Sequence, residues 1–126
     1  MKSVVFCSSQ RFRKDLEAFI KELRKLANER GIHPVIFHPE FEERPDIEMK
    51  HEKERMQNSA YRDMVAGKVY DHLFRKVKVA DVCFVFNKDG YLGANTIGEL
   101  FAAAMSGKVC YSLEETFKMG SYPHDL

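Results

Sequence analysis

Four short apolar runs alternate along the chain with longer segments that have helical periodicity. The runs are Ser3–Cys7, His33–His38, Asp81–Phe86 and Lys108–Tyr111. Their apolar residues are continuous rather than alternating, which is typical of strands covered on both faces, as parallel strands between helices are. Three of the runs contain one cysteine each, and the simplest interpretation is that these cysteines fill the core.

Three helices are predicted between the runs. Apolar residues recur at helical spacing from about Phe12 to Arg30, and Gly31 follows as a C-terminal cap signal. A second apolar pattern extends from Tyr61 to Ala80, and a third short helix covers about Thr96–Met105. One further turn is expected at Glu114–Phe117.

The alternation of strand and helix predicts a single α/β domain over residues 1–126, with an open, mostly parallel, Rossmann-like sheet of about four to five strands and flanking helices. Such doubly wound sheets bind ligands beyond the carboxyl ends of their strands, where neighbouring strands wind in opposite directions. The chemistry is therefore expected just after Cys7 and just after Phe86.

Composition narrows the possible partners. The 126 residues include 20 basic and 19 acidic side chains, a balance without the basic excess that nucleic acids or anionic membranes attract. No apolar run approaches the roughly 20 residues of a membrane span, and the N-terminal run is too brief for a secretory signal. We expect a cytoplasmic protein with a small-molecule partner. The mixed-charge stretch from Glu40 to Arg55 is expected to be a solvated loop and helix start.

The three cysteines, Cys7, Cys83 and Cys110, are odd in number and widely spaced, which argues against a disulfide framework and against a metal knuckle. No metal or organic cofactor is expected. The chain also has neither the G-x-G-x-x-G fingerprint nor a P-loop. A nucleotide would therefore have to be held in some other way.

The first candidate binding segment follows the first strand. Ser8 and Ser9 precede Gln10 and Arg11 at the start of a helix. Hydroxyls, backbone N–H groups at a helix N-terminus and a guanidinium together suit a phosphate or a ribose. The alternative is that a serine caps the helix and Arg11 is merely solvated.

The second candidate segment follows the third strand and leads to Glu99. A loop rich in turn residues begins at Asn87 and delivers this glutamate into the first turns of a helix. There the helix dipole is expected to keep the carboxylate ionised, so that it could attack an electrophilic carbon. The alternative is a capping box, in which the side chains of Thr96 and Glu99 only hydrogen-bond to backbone N–H groups at the start of the helix.

The surroundings of Glu99 carry a family pattern. A strand opening with Ala-Asp, a glycine-rich loop, an alanine-rich helix and a Gly-Lys pair occur at Ala80–Phe86, Asp89–Gly93, Thr96, Gly98–Leu100 and Ala102–Val109. Together they resemble the nucleoside 2-deoxyribosyltransferase-like family. The opening Val5–Arg11 is similar to the first strand and loop of its deoxynucleotide N-glycosidase branch. These segments cover about a third of the chain.

The resemblance implies a flavodoxin-like fold and cleavage or transfer of an N-glycosidic bond in a (deoxy)nucleoside or nucleoside 5′-monophosphate. Glu99 falls on the position of the family's nucleophile, and Asp71 or His72 is a possible acid. The implied substrate contacts are Ser8, Ser9, Arg11, Asn87, Asp89, Gly90, Tyr91 and Gly93. The chain is short for enclosing a substrate, so a homo-oligomer is expected to complete the pocket.

The chain departs from the family pattern at three positions. Gly93 stands where many members have aspartate or serine, Val5 where they have tyrosine, and Leu73 where they have the acid. The first two departures favour an alternative function, a non-catalytic nucleotide-binding or sensing module with the same fold.

Overall fold

The computed structural model describes residues 2–40 and 59–119, so most of the charged stretch after Glu40 lies outside the described residues. The main strands are β1 (Ser3–Cys7), β2 (Val35–Phe37), β3 (Val82–Val85) and β5 (Val109–Ser112), and two short ones are β4 (Tyr91–Leu92) and β6 (Lys118–Met119). The helices are α1 (Arg13–Glu29), α2 (Ser59–His72) and α3 (Ala94–Met105). A π-helical turn, Leu73–Val77, continues α2, and 3₁₀ turns cover Gln10–Phe12 and Lys88–Gly90.

The described strands form one parallel sheet in the order β2-β1-β3-β5, with a separate parallel pair of β4 and β6. In this register Cys7 lies opposite Val85, and Cys83 lies opposite Cys110. The predicted α/β class and parallel sheet are confirmed. None of the described helices has the length and apolar character that crossing a bilayer requires.

The two faces of the sheet pack against different helices. On one face Val5, Cys7, Cys83 and Val85 form a buried cluster with residues of the π-helical turn and α3, among them Val77, Ile97 and Ala103. On the other face Phe6 packs with Phe86 and with the apolar side of α1. The expectation of strands covered on both faces is therefore confirmed for β1. It is wrong for β5, an edge strand on which Val109 and Tyr111 are exposed.

The predicted end of α1 agrees with the structure, whereas the predicted start of α3 and the predicted last turn do not. Gly31 has a φ of 69°, as expected for the residue that ends α1. α3 begins at Ala94 with Gly93 as its N-cap, two residues before the predicted start at Thr96. The expected turn at Glu114–Phe117 is wrong, because the backbone there bends and then enters β6.

Candidate active site

The carboxyl ends of β1 and β3 bring both predicted segments to one edge of the sheet. These strands are neighbours, and the Phe86 amide donates to the Cys7 carbonyl at 2.9 Å where they end. A Cβ placed on Gly93 would lie 3.8 Å from the Cβ of Ser9, so the N-terminus of α3 lies against the segment after β1. The two segments that follow Cys7 and Phe86 therefore lie at the same edge of the sheet.

Glu99 lies in the second turn of α3 and is 7% exposed. Its Oε2 is 3.9 Å from Nε2 of His72. Because Gly93 is the N-cap of α3, Thr96 lies inside the helix rather than at the cap position, so Thr96 and Glu99 cannot form a capping box. The structure therefore excludes the capping alternative and directs this carboxyl inward.

Burial determines the protonation state of Glu99. Loss of solvent, and secondarily the Cys83 thiol, raises the pKa of this carboxyl to about 8, against a small opposing effect of a hydrogen bond with Cys7. The expectation that the helix dipole keeps Glu99 ionised is therefore wrong. At neutral pH the carboxyl is mostly protonated in the resting protein.

His72 is the last residue of α2, directly before the π-helical turn, and is 2% exposed. Its Nε2 is 3.6 Å from the Cys7 sulfur. Burial, with a smaller contribution from Lys76, lowers the pKa of the imidazole to about 4. His72 is therefore neutral at pH 7, and the proton of the pair resides on Glu99. Its Nδ1 has no hydrogen-bond partner among the described residues.

Two thiols complete the surroundings of these groups. The sulfurs of Cys7 and Cys83 are 3.8 Å apart, and both side chains are fully buried, as the core assignment predicted. The hydrogen bond with Cys83, together with burial, raises the pKa of the Cys7 thiol well above its usual value. Ligand atoms of Cys7, His72 and Glu99 all lie within 4.8 Å of one another, so these residues could hold a metal ion.

The segment after β1 has the geometry of a capped turn. The Ser9 hydroxyl accepts from the Arg11 amide at 3.4 Å, and the buried Ser8 donates to the Ser9 carbonyl at 3.1 Å. The Arg11 guanidinium stacks on the ring of Tyr91 at 3.7 Å, a cation–π contact that fixes it beside the loop after β3. The capping interpretation of Ser9 is thus confirmed, while Arg11 is held in place rather than simply solvated.

The residues of the loop after β3 pack against and hydrogen-bond to the segment that follows β5. Buried Asn87 donates from Nδ2 to the carbonyls of Glu114 and Thr116, both at 3.2 Å, and its Oδ1 accepts from the Glu114 amide at 2.9 Å. Gly90 has a φ of 79° and is packed so closely that a Cβ would lie 2.9 Å from the Thr116 carbonyl oxygen. Asp89, with a φ of 58°, is exposed. These contacts shape the loop around Tyr91.

The two candidate acids differ in position. His72 faces Glu99, whereas the carboxylate of Asp71 pairs with Arg75 at 3.2 Å on a solvent-exposed part of α2. Of the two, only His72 has a described contact with the Glu99 carboxyl.

A cavity of about 550 Å³ lies elsewhere, between α1 and the segment that follows β2. Arg13, Arg24, His38 and Lys68 are among its lining residues, and none of the residues proposed from the sequence lines it.

Comparison of the chain with protein-family models, with curated proteins and with solved structures found no match.

Proposed function

We propose that this protein cleaves or transfers the N-glycosidic bond of a (deoxy)nucleoside or nucleoside 5′-monophosphate, with Glu99 as the nucleophile. The observation that carries the proposal is the buried Glu99 carboxyl, which is 3.9 Å from His72 and belongs to the helix whose N-terminus lies against Ser9. A flavodoxin-like, doubly wound topology is part of the same proposal. The strand order and the packing of helices on both faces support it.

In this reaction an oxygen of ionised Glu99 attacks the anomeric carbon and forms the glycosyl-enzyme bond. The bond from that carbon to the base nitrogen breaks, and its electron pair leaves with the base, which takes up a proton. Water or a second base then attacks the same carbon, which breaks the bond to Glu99, and the proton lost by the attacking group returns to Glu99. Both transition states resemble an oxocarbenium ion, which an adjacent carboxylate stabilises.

Attack requires the proton of Glu99 to move. With a pKa of about 8, roughly one tenth of the carboxyl is ionised at pH 7. Positive charge that develops on the sugar favours the ionised form. Nε2 of His72, at 3.9 Å, is the proton acceptor we assign. Because the pKa of His72 is about 4 and that of Glu99 about 8, this transfer is unfavourable in the resting protein and proceeds only as positive charge develops on the sugar, after which the proton passes to the departing base. For Asp71 to be the acid instead, it would first have to leave Arg75.

A 5′-monophosphate is the substrate form that the surrounding residues favour. The N-terminus of α3 lies against Ser9, and backbone N–H groups at a helix start bind anions. Arg11, held over Tyr91, supplies a positive charge at the same edge of the sheet.

Two further parts of the proposal concern the cellular compartment and the oligomeric state of the protein. The three described thiols are all unpaired, which fits the reducing cytoplasm. A second copy of the chain is proposed to complete the wall of the substrate pocket. Size measurement by light scattering tests this directly, since a monomer at all concentrations would contradict it.

The test of the activity is release of free base from a panel of deoxynucleosides and their 5′-monophosphates, measured by chromatography with a chelator present. We expect Glu99→Gln to lower release by several orders of magnitude, as removal of a nucleophile does. Glu29→Gln, at an exposed glutamate near the end of α1, is the matched control and should retain activity. Equal release by wild type and Glu99→Gln would refute the role of Glu99.

A specific observation favours the non-catalytic alternative. The Glu99 side chain is only 9% exposed and mostly protonated at neutral pH, as a packed core group would be. If the protein only binds nucleotides, they should raise the melting temperature of wild type and Glu99→Gln equally, and no base should be released.

A further inference from the structure

Three different ligand atoms converge inside the core at the sheet face covered by α2 and α3. The Cys7 sulfur is 3.6 Å from His72 Nε2, and that nitrogen is 3.9 Å from Glu99 Oε2. Zinc bonds of about 2.0–2.3 Å in a tetrahedron separate neighbouring ligand atoms by about 3.3–3.8 Å. The measured separations are therefore close to those of a tetrahedral site, and small side-chain rotations would bring the three atoms into bonding distance.

Cys83 is the nearest further donor, although its sulfur falls outside the group of ligand atoms that lie within 4.8 Å of one another, so its side chain would have to rotate toward that group to become the fourth ligand. Its sulfur is 3.8 Å from that of Cys7, the separation that two thiolates have on one zinc ion. Both cysteines lie on the same face of neighbouring strands, so backbone hydrogen bonds fix their spacing. The third thiol, Cys110, lies on the edge strand and is only partly buried.

The ligand chemistry selects the kind of metal. Two thiols, one imidazole and one carboxyl form a set that suits zinc, whereas Mg²⁺ and Ca²⁺ prefer oxygen ligands alone. The thiolates of Cys7 and Cys83 and the Glu99 carboxylate carry three negative charges, of which a bound divalent cation neutralises two.

We propose that Cys7, His72 and Glu99, with Cys83 as the fourth ligand, bind one Zn²⁺ ion. The ion would join β1 to β3, the end of α2 and α3, which follow β1 much later in the sequence. Since every ligand is buried, the site is closed, as structural zinc sites are.

This inference goes beyond the proposed function and does not depend on it. A Glu99 oxygen bound to zinc cannot attack a sugar, so the zinc-loaded protein is expected to be inactive and the chelated protein active. Zinc binding without base release would leave the inference standing and refute the activity. Base release without zinc binding would do the reverse.

The experiment is titration of chelator-treated protein with Co²⁺ and Zn²⁺. We expect one equivalent of Co²⁺ to give the intense visible bands of tetrahedral cobalt and a thiolate-to-cobalt charge-transfer band, both removed by one equivalent of Zn²⁺. Zinc should also raise the melting temperature. Absence of saturation at one equivalent, or a cobalt spectrum without the charge-transfer band, would overturn the proposal.

The zinc affinities of single-residue variants test which side chains are ligands. Cys7→Ser and Glu99→Gln should weaken zinc binding by more than the roughly 10- to 100-fold that loss of an outer-shell partner costs. Cys110→Ser is the matched control and should bind as wild type does. Equal affinity of Cys7→Ser and Cys110→Ser would refute the assignment.

Cadmium NMR of the wild-type protein tests the ligand set even if a variant fails to fold. A chemical shift typical of two sulfur ligands with nitrogen and oxygen supports the four residues named. A shift typical of oxygen ligands alone would overturn the proposal. A two-sulfur shift that persists in Cys83→Ser would exclude Cys83 as the fourth ligand.

Discussion

Replacing Glu99 by glutamine should remove the pH dependence of the unfolding free energy that the buried carboxyl causes. Burial raises the pKa of Glu99 to about 8 in the folded protein from an ordinary value of 4.5. The folded state therefore holds this proton more tightly than the unfolded state does. Its contribution to stability is fully present below pH 4.5 and is lost as the pH rises through 8.

The size of the effect follows from these two values. Between them, each pH unit costs wild type about 1.4 kcal/mol of unfolding free energy, whereas glutamine has no proton to lose. The stability of Glu99→Gln relative to wild type should therefore increase with pH, by about 3.5 kcal/mol from pH 5 to pH 8. Any loss of packing or hydrogen bonding that glutamine causes shifts the comparison by a constant and leaves this slope unchanged.

Urea unfolding at intervals across that pH range measures the difference, with a chelator present so that no metal contributes. Glu29→Gln removes an exposed glutamate and controls for loss of a carboxyl group as such. If the stability difference between Glu99→Gln and wild type is the same at pH 5 and pH 8, the carboxyl is not buried as described. The protonated resting state on which the mechanism rests would then be wrong.

Three further outcomes are expected from the same unfolding measurements. Burial lowers the pKa of His72 from 6.5 to about 4, so the contribution of the neutral imidazole to stability is lost as the pH falls through that range. The unfolding free energy of His72→Gln relative to that of wild type should therefore be about 3 kcal/mol higher at pH 4 than at pH 7. Gly90→Ala should cost at least about 1 kcal/mol more than Gly107→Ala. Both glycines have positive φ, but only at Gly90 would the new methyl group lie 2.9 Å from the Thr116 carbonyl oxygen, and equal costs would refute this packing. Asn87→Ala should cost about 2–4 kcal/mol, since three hydrogen bonds are lost, and a cost below about 1 kcal/mol would contradict their role.

Local patterns were sufficient for the main elements of the fold. Continuous apolar runs predicted β1, β3 and β5, and helical periodicity predicted α1 and α3, because both patterns reflect which side chains the sheet and helices bury. The start of α3 was missed because Gly93, its N-cap, has no side chain to signal a cap. β4 and β6 have two residues each, too few for any periodicity.

Long-range contacts account for what the sequence could not predict. The backbone after β5 is held by Asn87, 27 residues before Glu114, and no local pattern around Glu114 records that bond. The site shows the same limit. Glu99 and His72 were identified as candidates from the sequence, but their contact with Cys7 depends on strand register and on where α2 ends.

The pKa shifts of Glu99 and His72 explain how a polar cluster remains in the core and what could change it. With the pKa of Glu99 raised to about 8 and that of His72 lowered to about 4, both side chains are neutral near pH 7, so the core buries no net charge there. Glu99 becomes an anion readily only when positive charge appears beside it. An oxocarbenium-like sugar supplies that charge in the proposed reaction, and Zn²⁺ supplies it in the proposed metal site. The two proposals therefore draw on one property, and zinc should compete with the sugar for the same carboxylate.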